Sequence, residues 1–274
     1  MLGTGRRVLA TILAAFGFAG VVSACAETQD EDSLLSYTQR AEKHFQAAMD
    51  EFDDEDCSDA EPLFQDFIKE FRFYERYAKL AELRLADCQY IEDKFAEAAV
   101  SYEQFVKTYP THPDAHYAAF RRGLCYYRMI PSDWIITPPP HERDQTYTRD
   151  ARTAMASFLQ TYPESPWRAW ARVILSEVED ALVRHEMYVA EFYLSRDDRR
   201  AAAVRLEGVL ASFPGSRLVP DAMFMQAVTY LEMGEPYKAR LVFESIRKHF
   251  PDHHQSLRAL DYLRHLDEMR RAAN

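Results

Sequence analysis

The sequence predicts an all-α fold, a superhelical array of about five helix-turn-helix repeats, and three observations carry that prediction. Beyond residue 24, glycine occurs only at 123, 208, 215 and 234, and stretches of β-branched alternation are scarce. Apolar residues recur at spacings of three and four with Ala, Leu, Glu and Arg between them, the pattern of amphipathic helix. An aromatic-proline pair returns along the chain as KTYP (107–110), QTYP (160–163), ASFP (211–214) and KHFP (248–251), with KEFR (69–72) as an equivalent that lacks the proline.

Each pair ends one repeat, because proline cannot continue a helix. Counting back twelve residues from the proline position reaches Ala60, Ala98, Ala151, Ala202 and Ala239, and twelve further reaches Ala48, Ala86, Ala190 and Ala227. Small residues at fixed spacing are what two closely crossing helices require. Four residues after the second alanine stand Phe64, Tyr102, Met155, Leu206 and Phe243, large knobs that fill the space between successive helix pairs. This resembles the tetratricopeptide repeat, a helix-turn-helix of about 34 residues that stacks into a superhelix.

Two repeats depart from the pattern. In the third, Gly123 takes the small position and 28 residues rather than 12 separate it from Ala151. The insertion includes PSDWIITPPPHERDQT (131–146), an aperiodic, proline-rich loop of the kind that often carries function. In the fourth, SPWRAWARVILSEVEDALVRHEMYVAEFYL (165–194) reads as one extended first helix, with Ser165 as N-cap and Pro166 at its first position. Such a helix joins an N-terminal half, residues 37–163 with repeats one to three, to a C-terminal half, residues 164–274 with repeats four and five.

Ahead of the repeats, Arg6 and Arg7 precede a run from Val8 to Val22 without a charged side chain. Basic residues, a short apolar run and small residues at a cut form a secretory signal. The run is short of the roughly 20 residues a membrane-spanning helix needs. Val22-Ser23-Ala24-Cys25 resembles the bacterial lipobox, so the reading is a signal peptide over 1–24, acylation of Cys25, and a tether over 25–36.

Losing residues 1–24 removes two arginines and no acids, which takes the formal charge from −11 to −13. Such acidity argues against a nucleic-acid partner, since phosphate binding needs clustered Lys and Arg. The charge is uneven: residues 26–110 hold 22 acids against 9 bases, and residues 196–274 hold 11 against 13. The two ends therefore meet different surfaces.

Catalysis finds little support. GxSxG, HExxH and phosphate-loop motifs are absent, and no cofactor is expected. The acidic run DEFDDEDCSDAE (50–61) lacks the glycine of an EF-hand loop and reads as a solvated turn. His249, His253, His254 and His265 crowd the C-terminus without a fixed ligand set, so no metal centre is expected. Cys57, Cys88 and Cys125 remain after Cys25 is set aside. A Cys57–Cys88 bridge is expected from their places in adjoining repeats, with buried apolar packing as the competing reading.

In repeats of this kind the first helix lines the concave face. Its inward positions fall at Phe45, Met49, Phe52, Leu83, Tyr90, Tyr117, Phe120, Leu124 and Tyr127, an apolar and aromatic groove suited to an extended, aromatic-rich segment. For any single one of them, packing between helices is an equal alternative. The fourth repeat offers Arg184, Met187, Glu191 and Leu194, a mixed surface better suited to a folded partner.

YPTHPDAHYAAFRRGLCYY (109–127), the insertion ending in RDQT (143–146), and RHEMYVAEFYLSRDDRRAAAVRLEGVLASFPGS (184–216) together resemble the BamD family of outer-membrane assembly lipoproteins. Where that family often has proline after RDQT this chain has Tyr147, and Thr146 is then the expected N-cap. The resemblance implies five repeats held by lipid at the periplasmic face of the outer membrane, an address with which Ala26 after the acylated cysteine is compatible. It implies unfolded outer-membrane proteins as clients of the N-terminal repeats. BamA is the implied partner of the C-terminal half, with other lipoproteins of the same machinery as further partners. Arg205, in AVRLEG (203–208), matches a family position in the BamA-contacting region, where a guanidinium suits a bidentate bond to a carboxylate. The alternative is a periplasmic repeat adaptor for peptidoglycan or envelope-division enzymes, which would share the signal and the repeats.

Overall fold

A computed structural model describes residues 36–54, 56–131 and 138–272. The expected signal, Cys25 and nearly all of the tether lie outside these residues, as do positions 132–137 of the insertion. The described residues form helices joined by turns, without a strand. The first repeat pairs α1 (Tyr37–Asp53) with α2 (Cys57–Phe71), the second α3 (Glu75–Ile91) with α4 (Phe95–Thr108), and the third α5 (Ala115–Arg128) with α6 (Thr146–Thr161). The fourth pairs α7 (Arg168–Leu194) with a broken second helix, α8 (Arg199–Leu206) and α9 (Val209–Ser212). The fifth pairs α10 (Val219–Glu232) with α11 (Pro236–His249), and α12 (His254–Ala272) packs on the end.

The alternation of small and large residues builds this stack. Ala48, Ala60, Ala86, Ala98, Ala151, Ala190, Ala202, Ala227 and Ala239 are all fully buried, and so are the knobs Phe64, Tyr102, Met155, Leu206 and Phe243. Gly123 shows why its position must stay small: a Cβ there would lie 2.9 Å from Met155 Cε, inside van der Waals contact.

One turn recurs between repeats. Tyr109, Tyr162, Phe213 and Phe250 leave their helices at φ between −124° and −132° with ψ of 55–62°. The residue two beyond each proline donates its amide back to the aromatic's carbonyl. Its side chain then accepts the amide two residues on: Asp114 N to His112 Nδ1, Trp167 N to Ser165 Oγ, Leu218 N to Ser216 Oγ and Gln255 N to His253 Nδ1, at 3.1–3.3 Å. Histidine and serine are interchangeable here because each supplies one acceptor to an otherwise orphaned amide. Within repeats the turn needs a left-handed residue instead, at Asp93 (φ 60°), Asp197 (φ 63°) and Gly234 (φ 73°). A further one, Gly208 (φ 80°), divides α8 from α9.

Two helix starts differ from expectation. Helix α7 spans 27 residues from Arg168, with Trp167 at the cap position, so Ser165 and Pro166 belong to the preceding turn. Ser165 caps that turn rather than the helix, and α7 is about 40 Å long. Helix α6 takes Gln145 at its cap position, and Thr146 is its first residue. The Thr146 amide and hydroxyl both donate to Asp144 Oδ1, at 3.2 and 2.9 Å, because the shorter acid one turn-step earlier reaches both groups.

The end of the insertion is built into the scaffold. Its 3-10 turn at Pro140–Glu142 sits on α7, where His185 Nδ1 donates to the His141 carbonyl at 2.7 Å and His141 meets Tyr188 edge-on. Buried Gln145 donates to the carbonyls of Pro140 and Arg143. Helix α7 itself serves two parts of the core. Ala171, Ile174 and Val178 pack with Phe120 and Phe158, while Val183 and Ala190 pack with Val219 and Phe224.

Candidate functional site

The nine side chains expected to line a groove divide into two groups. Phe45, Leu83 and Phe120 are 6%, 1% and 4% exposed, so they belong to the core and not to a lining. Phe45 stacks on Tyr77 at 4.4 Å and Phe120 on Trp167 at 5.2 Å. The apolar stripe of each first helix is wide enough to serve its own partner helix and the next repeat, and these three face that packing. Met49, Phe52, Tyr90, Tyr117, Leu124 and Tyr127 are half-buried.

Those six do not make a purely apolar surface. The Arg84 guanidinium lies 5.4 Å from the Phe52 ring centre and that of Arg121 lies 3.7 Å from the Tyr90 ring centre. Cations over ring faces are attracted by the ring quadrupole. Tyr127 donates its hydroxyl to Glu177 at 2.6 Å, and that bond, with burial, pushes the phenol pKa up to about 12. The surface between α1, α3 and α5 is thus aromatic with positive charge on its faces.

Behind it lies a group that sequence reasoning missed. Asp87 on α3 is 3% exposed and accepts from Tyr102 of α4 at 2.6 Å, from Tyr117 of α5 at 2.8 Å and from Arg84 Nη1 at 2.7 Å. Arg121 Nε donates in turn to the Tyr102 hydroxyl at 3.1 Å. Burial, above all, holds the phenols of Tyr102 and Tyr117 far above their usual range, and both remain donors. One carboxylate therefore fixes three helices of two repeats and sets the tilt of the half-buried Tyr117.

A second junction lies at the middle of α7. Glu179 and Asp180, each 2% exposed, grip the turn between α9 and α10. Glu179 accepts the Gly215 amide at 2.6 Å and Arg152 Nε of α6 at 3.2 Å, and Arg152 also donates to the Ser212 carbonyl. Asp180 Oδ1 accepts the Ser216 hydroxyl at 2.8 Å and the Arg217 amide at 2.7 Å, while its Oδ2 takes a two-pronged contact from the Arg217 guanidinium. A Cβ at residue 215 would lie 2.7 Å from Glu179 Oε2, which explains glycine there. Burial pushes the Asp180 pKa up, but the bonds from Arg217 and Ser216 outweigh it and leave the carboxyl below its ordinary value.

Beyond this junction the fourth repeat presents exposed Arg184 and Glu191 beside half-buried Met187 and Leu194. Arg205 Nε lies 2.5 Å from Glu186 Oε2 on α7, an ion pair between α8 and α7 in which Arg205 keeps 38% of its side chain exposed. A partner carboxylate would therefore share this guanidinium with Glu186. All three described cysteines are free and buried in this structure, Cys57 and Cys88 without the bridge that the sequence leads one to expect. Cys57 and Cys88 lie in the same buried cluster of the first repeats. Burial raises both, and pushes Cys125 up to about 12, so none is primed as a thiolate. The acidic run puts Asp56 to work as the cap of α2, where it accepts from Ser58 Oγ and the Asp59 amide.

No helix among the described residues is long and apolar enough to cross a membrane. "Outer membrane protein assembly factor BamD" of Neisseria meningitidis serogroup A is 29% identical over 257 residues, covering 90% of this chain and 92% of that protein. The protein of the same name from Caulobacter vibrioides is 25% identical, covering 82% and 71%. A solved tetratricopeptide-repeat protein from Thermus thermophilus aligns over 81% of this chain at 17% identity with a TM-score of 0.35, too loose a superposition to add to what the helices show. The profile of YfiO, described as an outer membrane lipoprotein, matches residues 38–245. That match takes in all of the first four repeats and most of the fifth, and the chain accordingly belongs to the YfiO family of outer membrane lipoproteins.

Proposed function

We propose that this chain is a non-catalytic assembly factor of the outer membrane, tethered by lipid on Cys25, that receives unfolded outer-membrane proteins and docks on a BamA-type barrel protein. The observation that carries the reading is similarity to assembly factors along nearly the whole repeat array, not in one repeat alone. The geometry supports a division of labour. The N-terminal repeats offer half-buried Met49, Phe52, Tyr90, Tyr117, Leu124 and Tyr127 with arginines on the ring faces. An extended segment with alternating aromatic side chains suits such a surface, since its rings stack where the guanidinium faces are. The fourth repeat offers charged and apolar side chains together, and Arg205 there is paired with Glu186.

Co-purification from membranes tests the docking: the acylated wild-type chain retains a BamA-type protein, and failure to do so overturns the reading. A photocrosslinker at residue 90 or 127 tests the client surface separately, with the terminal peptide of a barrel protein as the expected adduct. Cys25→Ser tests the tether, since the chain should stay folded while moving to the soluble fraction.

A further inference from the structure

We propose that Asp221, His253 and His254 form a binding site for a divalent transition-metal ion of the zinc type, which pins the last helix onto the fifth repeat. The four C-terminal histidines lack a ligand set along the sequence, but the fold supplies one. Asp221 stands in the first turn of α10, His253 in the turn after Pro251, and His254 at the start of α12. One ligand atom from each lies within 4.8 Å of the others. His254 Nε2 is 3.5 Å from Asp221 Oδ1, His253 Nε2 is 3.9 Å from Asp221 Oδ2, and the two imidazole centres are 4.3 Å apart.

These separations match the chemistry. Zinc holds histidine nitrogen and carboxylate oxygen at about 2.0–2.2 Å, so neighbouring corners of its tetrahedron are roughly 3.4 Å apart. His254 already stands at that spacing from Oδ1, whereas His253 faces the other carboxylate oxygen, so a turn of the Asp221 carboxylate and a small shift of the His253 ring draw in ligand atoms that start within 4.8 Å of one another. Two imidazoles and one carboxylate favour zinc, nickel or copper over magnesium and calcium, which take oxygen ligands. A fourth position is left for water.

The surroundings are arranged as an outer shell. Gln255 Nε2 donates to Asp221 Oδ1 at 2.8 Å, and Arg258 Nη1 holds the Gln255 oxygen at 3.1 Å, which fixes the carboxylate. His254 is exposed and both its neighbours are half-buried, so an ion has a route in. One existing contact must give way. Metal on His253 Nε2 places the ring proton on Nδ1, and the 3.3 Å contact from the Gln255 amide then opens. In the other turns of this type that residue serves as an acceptor within the turn: His112 is the equivalent in the third repeat, and a proline rather than a second histidine comes directly after it.

The test uses the untagged full-length chain, metal-free, titrated with zinc chloride by calorimetry and followed by thermal unfolding, with magnesium chloride in parallel. The wild type is expected to take up one equivalent of zinc and to unfold at higher temperature with it, and to ignore magnesium. His254→Ala removes an exposed side chain and leaves the fold intact. Asp221→Asn keeps an acceptor for Gln255 while deleting the charge. Each should weaken zinc binding by more than about tenfold, the least that loss of even a supporting contact costs a metal site, and should abolish the thermal shift. Equal zinc uptake by the wild type and both variants would mean binding to scattered surface histidines and overturns the proposal. So does a wild type that takes up none. Neither result bears on the assembly-factor reading, which does not require a metal.

Discussion

Of the three buried carboxylates among the described residues, Asp87 and Asp180 hold the array together in different ways. Asp87 binds side chains, the phenols of Tyr102 and Tyr117 and the guanidinium of Arg84. Asp180 binds a turn, through the Arg217 amide and the Ser216 hydroxyl, with the Arg217 guanidinium added from the solvent side. The first arrangement depends on three particular residues of three helices, and each partner lost leaves the buried carboxylate short of a donor. The second joins one backbone amide to a hydroxyl and to an exposed guanidinium that water can replace. Specificity of repeat packing is thus concentrated at the N-terminal junction, beside the surface proposed to meet clients.

Substitutions separate the two. Asp87→Ala should be the most damaging, at about 3–5 kcal/mol, because it removes the acceptor of the buried Tyr102 phenol together with that of Tyr117 and the counter-charge of Arg84; urea unfolding followed by circular dichroism measures it. Asp180→Ala should cost less, about 2 kcal/mol, since the turn it releases lies near water. Equal costs at the two positions would erase the distinction drawn here. Tyr102→Phe removes one donor and keeps the knob, so about 1–2 kcal/mol is expected, whereas a change as large as that of Asp87→Ala would mean that the carboxylate relies on this phenol alone. Arg217→Ala should be smallest and near the wild type, because that side chain is 76% exposed and screened by water.

Acid sharpens the contrast. The Asp180 pKa is depressed in the folded chain, so its contribution is fully present above the ordinary value of 3.8 and is lost as pH falls through the lower native value. Asp180→Asn should therefore show a shallower loss of stability below about pH 4 than the wild type. Unfolding curves collected between neutral and acid pH check this, and parallel curves would refute it.

Much of the stack is legible in the amino-acid order, for a physical reason. Ala98 and Tyr102 sit four apart in every repeat because one helix crossing repeats, and a repeated constraint leaves a repeated signal. Asp87 leaves none. It stands between Ala86 and Cys88 like any helical acid, and its phenolic partners lie 15 and 30 residues away. The groove was half legible: periodicity marks the apolar stripe that holds Phe45 and Tyr90 alike, but not which edge of it the next helix covers. Helix caps differ from the sequence pattern by two residues at Ser165 and one at Thr146, where short side chains bond within the turn before the helix begins. Asp221 became visible as a neighbour of His253 and His254 only when the chain had folded back on itself.

Helix α7 has a consequence for how the molecule comes apart. A solenoid whose units touch only their neighbours can fray from either end, its stability a sum of local terms. Here one helix of 27 residues packs its first half among the third repeat's side chains and its second half among those of the fourth and fifth. Partial loss of either end would break a single continuous hydrogen-bonded rod, whose middle also clasps the Gly215–Arg217 turn. The centre of the chain should accordingly open as one cooperative block, with the slowest amide exchange in the molecule, and leave fraying to α1 and α12.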